Sequence, residues 1–213
     1  MRPSSEQRKT GLDLGRLAVL ALTIAVAGCN TSGTTRRAQI ENRDEYGFTV
    51  VEDVRIGIGV RADFKRAIEA LNAEDHERGI ELLLEVQEDV PDSTTVQINL
   101  AIAYGKLGDL EKAQASIDRA LELNPRHPAA QNERGILHRR KGRFVEARES
   151  YESALAIFPN YHLARRNLAI LCDLYLLDAK CALENYETYQ DSAAGDEAMS
   201  IWIADVRNRM GEQ

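Results

Sequence analysis

Two stretches of this chain repeat at a fixed distance, and that repeat constrains the fold more than any other feature. Gly108-Asp109-Leu110-Glu111-Lys112-Ala113 returns as Gly142-Arg143-Phe144-Val145-Glu146-Ala147, 34 positions later. Ala120-Leu121-Glu122-Leu123-Asn124-Pro125 returns at the same offset as Ala154-Leu155-Ala156-Ile157-Phe158-Pro159. A fixed period of this length marks a stack of helix pairs, in which no pair buries its apolar face alone and each leans on the next.

One register holds the whole stack. The second repeat runs over 94–127 and the third over 128–161, and extending the frame gives a first repeat at 60–93 and a fourth at 162–195. The eighth place of each repeat is Ala67, Ala101, Gly135 and Ala169, and the twentieth is Gly79, Ala113 and Ala147. Small residues there let helix axes approach closely. Pro91, Pro125 and Pro159 close repeats one to three, because proline cannot continue a helix. Repeat one has Glu74 in place of the turn glycine, and repeat four needs two extra residues near Leu176-Leu177-Asp178 before Ala182 and Tyr186 regain the frame. Beyond it, Asp196 is placed to cap a last helix over 196–213. In that helix Met199, Trp202, Ile203, Val206 and Met210 form one apolar stripe that covers the open end of the stack.

With small residues where paired helices touch and a closing proline, the pattern resembles tetratricopeptide repeats. The resemblance covers 60 to about 191 and is strongest in repeats two and three. It implies an all-α chain, a right-handed α-solenoid of about four helix hairpins with a C-terminal capping helix. It also implies a protein or peptide partner held in a concave groove lined by the first helix of each pair. The groove places are then Phe64, Ile68, Ile98, Ile102, Asn132, Ile136, Arg139, Leu163, Arg166 and Ile170. The isoleucines at the ninth place either form an apolar track for a guest or wedge between neighbouring repeats as core. Certain tetratricopeptide domains grip a C-terminal carboxylate with lysine and asparagine at the fifth and ninth places. Phe64 and Ile68 stand there in repeat one, which argues against that use.

The first residues concern location. Arg2, Arg8, Lys9 and Arg16 precede an uncharged apolar run, Leu17 to Ala27, of 11 residues. A membrane span needs about 20, so the run suits the core of a signal peptide. It ends Val26-Ala27-Gly28-Cys29, which resembles the lipobox of bacterial lipoproteins and implies acylation of Cys29 after removal of 1–28. Each buried methylene contributes about 0.8 kcal/mol, so several acyl chains hold a protein firmly. Asn30 rather than aspartate follows the cysteine, which by the same resemblance implies the outer membrane, with the body on its periplasmic face. Residues 29–45 are polar and read as a flexible tether, and 46–59, rich in aromatic and β-branched residues, as an extended arm.

Several functions are excluded by composition and motif. Net charge is −7, and beyond residue 28 there are 23 basic against 32 acidic residues, a balance unsuited to nucleic acid. Gly57-Ile58-Gly59-Val60-Arg61-Ala62 matches a dinucleotide fingerprint but lacks the βαβ setting that motif needs. His76, His127, His138 and His162 are scattered, with no metal-ligand spacing, and no nucleophile motif is present. We therefore expect no enzyme, no catalytic residue, no metal, no cofactor and no small-molecule substrate. Cys172 and Cys181 either form a disulfide across a helix turn or are small apolar fillers. Arg139, Arg140, Lys141 and Arg143 make one basic cluster, either a docking point for an acidic segment or charge favourable to a helix C-terminus.

Among envelope proteins, the type IV pilus pilotin lipoproteins resemble this layout of lipobox and tetratricopeptide repeats. That resemblance implies a scaffold assisting assembly of a complex such as a secretin. The alternative is a structural subunit, of the β-barrel assembly or murein-enzyme regulation type, that binds through its convex face and N-terminal arm.

Overall fold

The computed structural model describes residues 38–43, 49–54, 57–192 and 197–211. The leader, Cys29 and most of the expected tether lie outside these residues. Ala38–Arg43 (β1) and Thr49–Val54 (β2) form an antiparallel hairpin, with Ala38 opposite Val54 and Arg43 opposite Thr49. β1 thus falls inside the segment read as a tether, and β2 inside the expected extended arm. No strand parallel to β2 exists among the described residues, so the glycine motif at 57–62 has no βαβ unit around it.

Nine α-helices follow among the described residues. The first eight make four hairpins: α1 (Ile58–Asn72) with α2 (His76–Asp89), α3 (Thr94–Leu107) with α4 (Leu110–Leu123), α5 (Pro128–Arg140) with α6 (Phe144–Ile157), and α7 (His162–Leu171) with α8 (Ala179–Ser192). The ninth, α9 (Glu197–Met210), packs on α8. Each hairpin also packs on the next, which makes a right-handed α-solenoid.

The small residues sit where the period put them. Ala67, Ala113, Ala147 and Ala169 are fully buried and Ala101 nearly so. In repeat two, Ala101 meets Ile117. In repeat three, Tyr151 stands where Ile117 does, and Gly135 supplies the missing volume. The inter-helix turns share one device, a residue in the left-handed region: Glu74 (φ 63°), Gly108 (φ 84°), Gly142 (φ 72°) and Leu177 (φ 53°). An aspartate then caps the second helix in repeats one, two and four. Asp75 accepts from the Arg78 N–H, Asp109 from Lys112 (both 3.1 Å) and Asp178 from Cys181 (3.0 Å). Arg143 holds this place in repeat three and gives no side-chain cap.

Repeat four is longer by one residue, not the two expected. Ala182 and Tyr186 stand 35 positions after Ala147 and Tyr151. The extra residue is absorbed in a π-helical turn, Cys172–Leu176, whose wider ring admits one residue per insertion. Cys172 and Cys181 are joined across it by a disulfide, with Cα atoms 5.8 Å apart.

In α9, Met199, Ile203 and Val206 are buried against repeat four. Trp202 and Met210 are each 37% exposed, so the covering stripe is narrower than expected. Trp202 still meets the Tyr186 ring edge-on at 5.6 Å. Arg209 ties the helix down by pairing with Asp173.

Candidate protein-binding groove

The first helices α3, α5 and α7 stand side by side, and their shared face is the inner surface that the repeats create. Position along this face decides what each candidate residue can do. Ile68, Ile102, Ile136 and Ile170 are all half-buried. Each therefore anchors to its helix pair and still offers part of its side chain. Ile136 and Ile170 lean on the C-terminal core and Ile102 on the core beside Ile98. Phe64 and Leu163 are half-buried as well.

Two expected contacts are corrected. Ile98 is only 6% exposed, packed among Ala120 and Ala130, and Asn132 is 1% exposed. In repeats two and three the fifth place turns toward the next repeat rather than into the groove. Asn132 instead joins helices: its Oδ1 accepts from Asn167 Nδ2 of α7 at 2.9 Å, and its Nδ2 donates to Glu133 Oε1 at 3.2 Å. A buried amide with both ends satisfied fixes the spacing of α5 and α7.

Arg139 and Arg166 remain half-buried on α5 and α7. The Arg139 guanidinium lies over the Tyr175 ring, 5.7 Å from its centroid, an attraction that grows as water is excluded. Burial alone would depress its pKa, yet contact with Tyr151 and Tyr175 leaves it raised. The Nε atoms of both arginines are buried without a hydrogen-bond partner. Among the described residues neither has a carboxylate within ion-pair distance, whereas Arg66, Arg78, Arg119, Arg148, Arg207 and Arg209 all do.

A cleft of about 330 Å³ opens between α3 and α5, lined by Ala101, Ile102, Gly105, Lys106, Glu133, Ile136, Leu137 and Arg140. Arg140 belongs to the basic cluster and donates to the Gly105 carbonyl. Lys141 reaches the Gln114 side chain at 3.2 Å, and Arg143 is exposed at its turn. Lys106, Glu133 and Gly105 escaped sequence reading, although Gly105 occupies the same place as Arg139 one repeat earlier. Burial pushes the Glu133 carboxyl up to about 7, against the opposing pull of the Asn132 hydrogen bond and the Lys106 charge. No group of His, Cys, Asp and Glu fit to hold a metal exists among the described residues.

This geometry is that of a stacked helix-hairpin repeat, and comparison with known proteins gives the same fold. Residues 98–162 match the family model described as tetratricopeptide repeat. Among curated proteins, the photosystem I assembly protein Ycf3 of Rippkaea orientalis is 29% identical over 98 residues, covering 39% of this chain and 57% of the relative. A probable UDP-N-acetylglucosamine–peptide N-acetylglucosaminyltransferase SPINDLY of Solanum lycopersicum is 43% identical over 56 residues, 26% of this chain and 6% of that protein. The chain thus spans little more than half of the first relative and a small part of the second. Among solved structures, one from the functional characterization of Pseudomonas aeruginosa pilF superposes with a TM-score of 0.66 at 19% identity, covering 72% of this chain and 69% of that one. At that identity the likeness is one of fold.

Proposed function

We propose that this chain is a non-enzymatic scaffold that holds a partner polypeptide of the bacterial envelope in the inner groove of its repeats. It is anchored by acyl groups on Cys29 at the periplasmic face of the outer membrane. Its task is to assist assembly of an envelope complex such as a pilus secretin. One observation carries the reading: Arg139 and Arg166, with no carboxylate partner among the described residues, stand beside half-buried isoleucines on the first helices of an otherwise acidic protein. A guest with apolar side chains and carboxylates satisfies both. The anchor rests on the lipobox pattern at 26–29 and the choice of the outer membrane on Asn30.

The test is in-cell photo-crosslinking from position 136, with identification of the captured protein. Arg139→Glu with Arg166→Glu abolishes capture while leaving the melting temperature within a few degrees. Retained capture sinks the groove reading. Cys29→Ser moves the protein out of the membrane fraction; an unchanged distribution sinks the anchor.

A second reading, a structural subunit docked by its outer face, draws on a different feature. Leu84 is 42% exposed at the rim of an outer cleft of about 490 Å³ that also includes Pro91, Leu100 and Tyr104. Leu84→Glu, and not the arginine reversals, then breaks capture.

A further inference from the structure

The inner face is not uniform, and the cleft between α3 and α5 has a local cause. The twelfth place is Gly105 in repeat two, Arg139 in repeat three and Asp173 in repeat four. Arg139 fills its own position and stacks on Tyr175, and Asp173 is taken by Arg209 and by the Tyr186 hydroxyl. Gly105 fills nothing. A Cβ there would meet only Arg140 Nη1, in ordinary contact at 3.5 Å, so the Arg140 guanidinium covers the glycine and the cleft opens beside it.

The walls of that space divide by chemistry. Ala101, Ile102, Ile136 and Leu137 make an apolar interior, which favours a group that leaves water. Lys106 and Arg140 stand at the rim, one from each helix, and neither has a carboxylate within ion-pair distance among the described residues. Glu133 is the one acidic lining residue. Burial pushes its carboxyl up, toward the neutral form, so a single carboxyl faces two cationic groups. The cleft therefore presents an apolar floor below a positive rim.

We propose that the cleft between α3 and α5 is the anchoring subsite of the groove, and that it takes one apolar side chain of the partner with a carboxylate one or two residues away in the partner's sequence. The apolar side chain lies against Ile102 and Ile136, and the carboxylate pairs with Lys106 and Arg140. The volume suits one large side chain and not a helix. This assignment rests on the groove reading above and adds the address and chemistry of the anchor.

The probe is the heptapeptide Gly-Ser-Leu-Asp-Glu-Ser-Gly, added to the full chain in mild detergent with its isoleucine methyl groups labelled for NMR. The methyl signals of Ile102 and Ile136 move and those of Ile68 and Ile170 stay. Serine in place of the peptide's leucine, or two lysines in place of Asp-Glu, weakens binding at least tenfold. Lys106→Glu, a change at an exposed position, weakens it at least fivefold without altering the melt, and Gly105→Leu blocks the cleft. Equal binding of the lysine peptide overturns the proposal, as do unmoved Ile102 and Ile136 signals at millimolar peptide. Shifts confined to Ile170 remove the subsite and leave the groove reading standing. No shift anywhere, joined to in-cell capture that survives arginine reversal, removes both.

Discussion

Gly135 of α5 and Tyr151 of α6 fit so closely that a Cβ on the glycine would lie 2.5 Å from ring carbon Cε1 and 2.6 Å from Cδ1. Tyr151 is fully buried, so its ring has nowhere to retreat. Alanine is otherwise the better helix former, by about 0.5–1 kcal/mol. Overpacking costs about 1–3 kcal/mol and wins here. Gly135→Ala therefore lowers the urea midpoint, and adding Tyr151→Leu to it recovers part of the loss. A variant as stable as the parent would show that the ring is not wedged.

How far the sequence was legible follows from what each feature depends on. Period, small contact residues and the turn glycines Gly108 and Gly142 can be read along the chain, so the helix-hairpin solenoid follows from them. The expected groove arginines are half-buried on α5 and α7. Asn132 was misplaced because its facing depends on Asn167, 35 positions on, and no single helix records that neighbour. The cleft at Gly105 was invisible for the same reason: it is an absence on α3 that matters only because Ile136 and Arg140 of α5 stand opposite. The offset of 35 between Ala147 and Ala182 already makes repeat four one residue longer and not two, and what the sequence does not record is the π-turn that absorbs it, because no breaker residue marks that turn.

The left-handed turn residues give a second prediction. Glu74 and Leu177 hold a conformation that costs a side-chain-bearing residue about 1–2 kcal/mol. Leu177 is 79% exposed, so removing its side chain forfeits little packing. Leu177→Gly and Glu74→Gly each raise stability by about 0.5–1 kcal/mol, part of the relief being lost to the freer unfolded chain. Gly108→Ala and Gly142→Ala move the other way. Thermal melts of the four variants check the sign at each turn.

Arg143 offers a third. It holds the capping place that Asp75, Asp109 and Asp178 fill in the other repeats, and it puts a cation at a helix N-terminus. Arg143→Asp supplies an acceptor for the free N–H groups of α6 and a favourable charge, worth about 0.5–1.5 kcal/mol together. The melting temperature rises; a fall would mean that Arg143 makes a stabilising contact of its own.

The last prediction concerns acid. Burial lowers the His127 pKa from 6.5 to about 4, and its Nδ1 accepts the Ala130 N–H at 3.3 Å, capping α5. The unfolded chain therefore binds a proton in this window more readily than the folded one. The contribution of neutral His127 is whole above about 6.5 and is lost as pH falls through 4. Glu133 is shifted the opposite way, up to about 7, so its contribution is whole below its unfolded value and lost as pH rises through 7. From about 4.5 to 6.5 the two slopes oppose, each limited to about 1.4 kcal/mol per pH unit. Glu133→Gln removes one of them: compared with the parent, its urea midpoint climbs more steeply with pH across that window. His127→Gln removes the other, and its midpoint falls with rising pH relative to the parent. Parallel pH profiles for parent and both variants would refute the opposed titrations and return both side chains to ordinary solvent-like values.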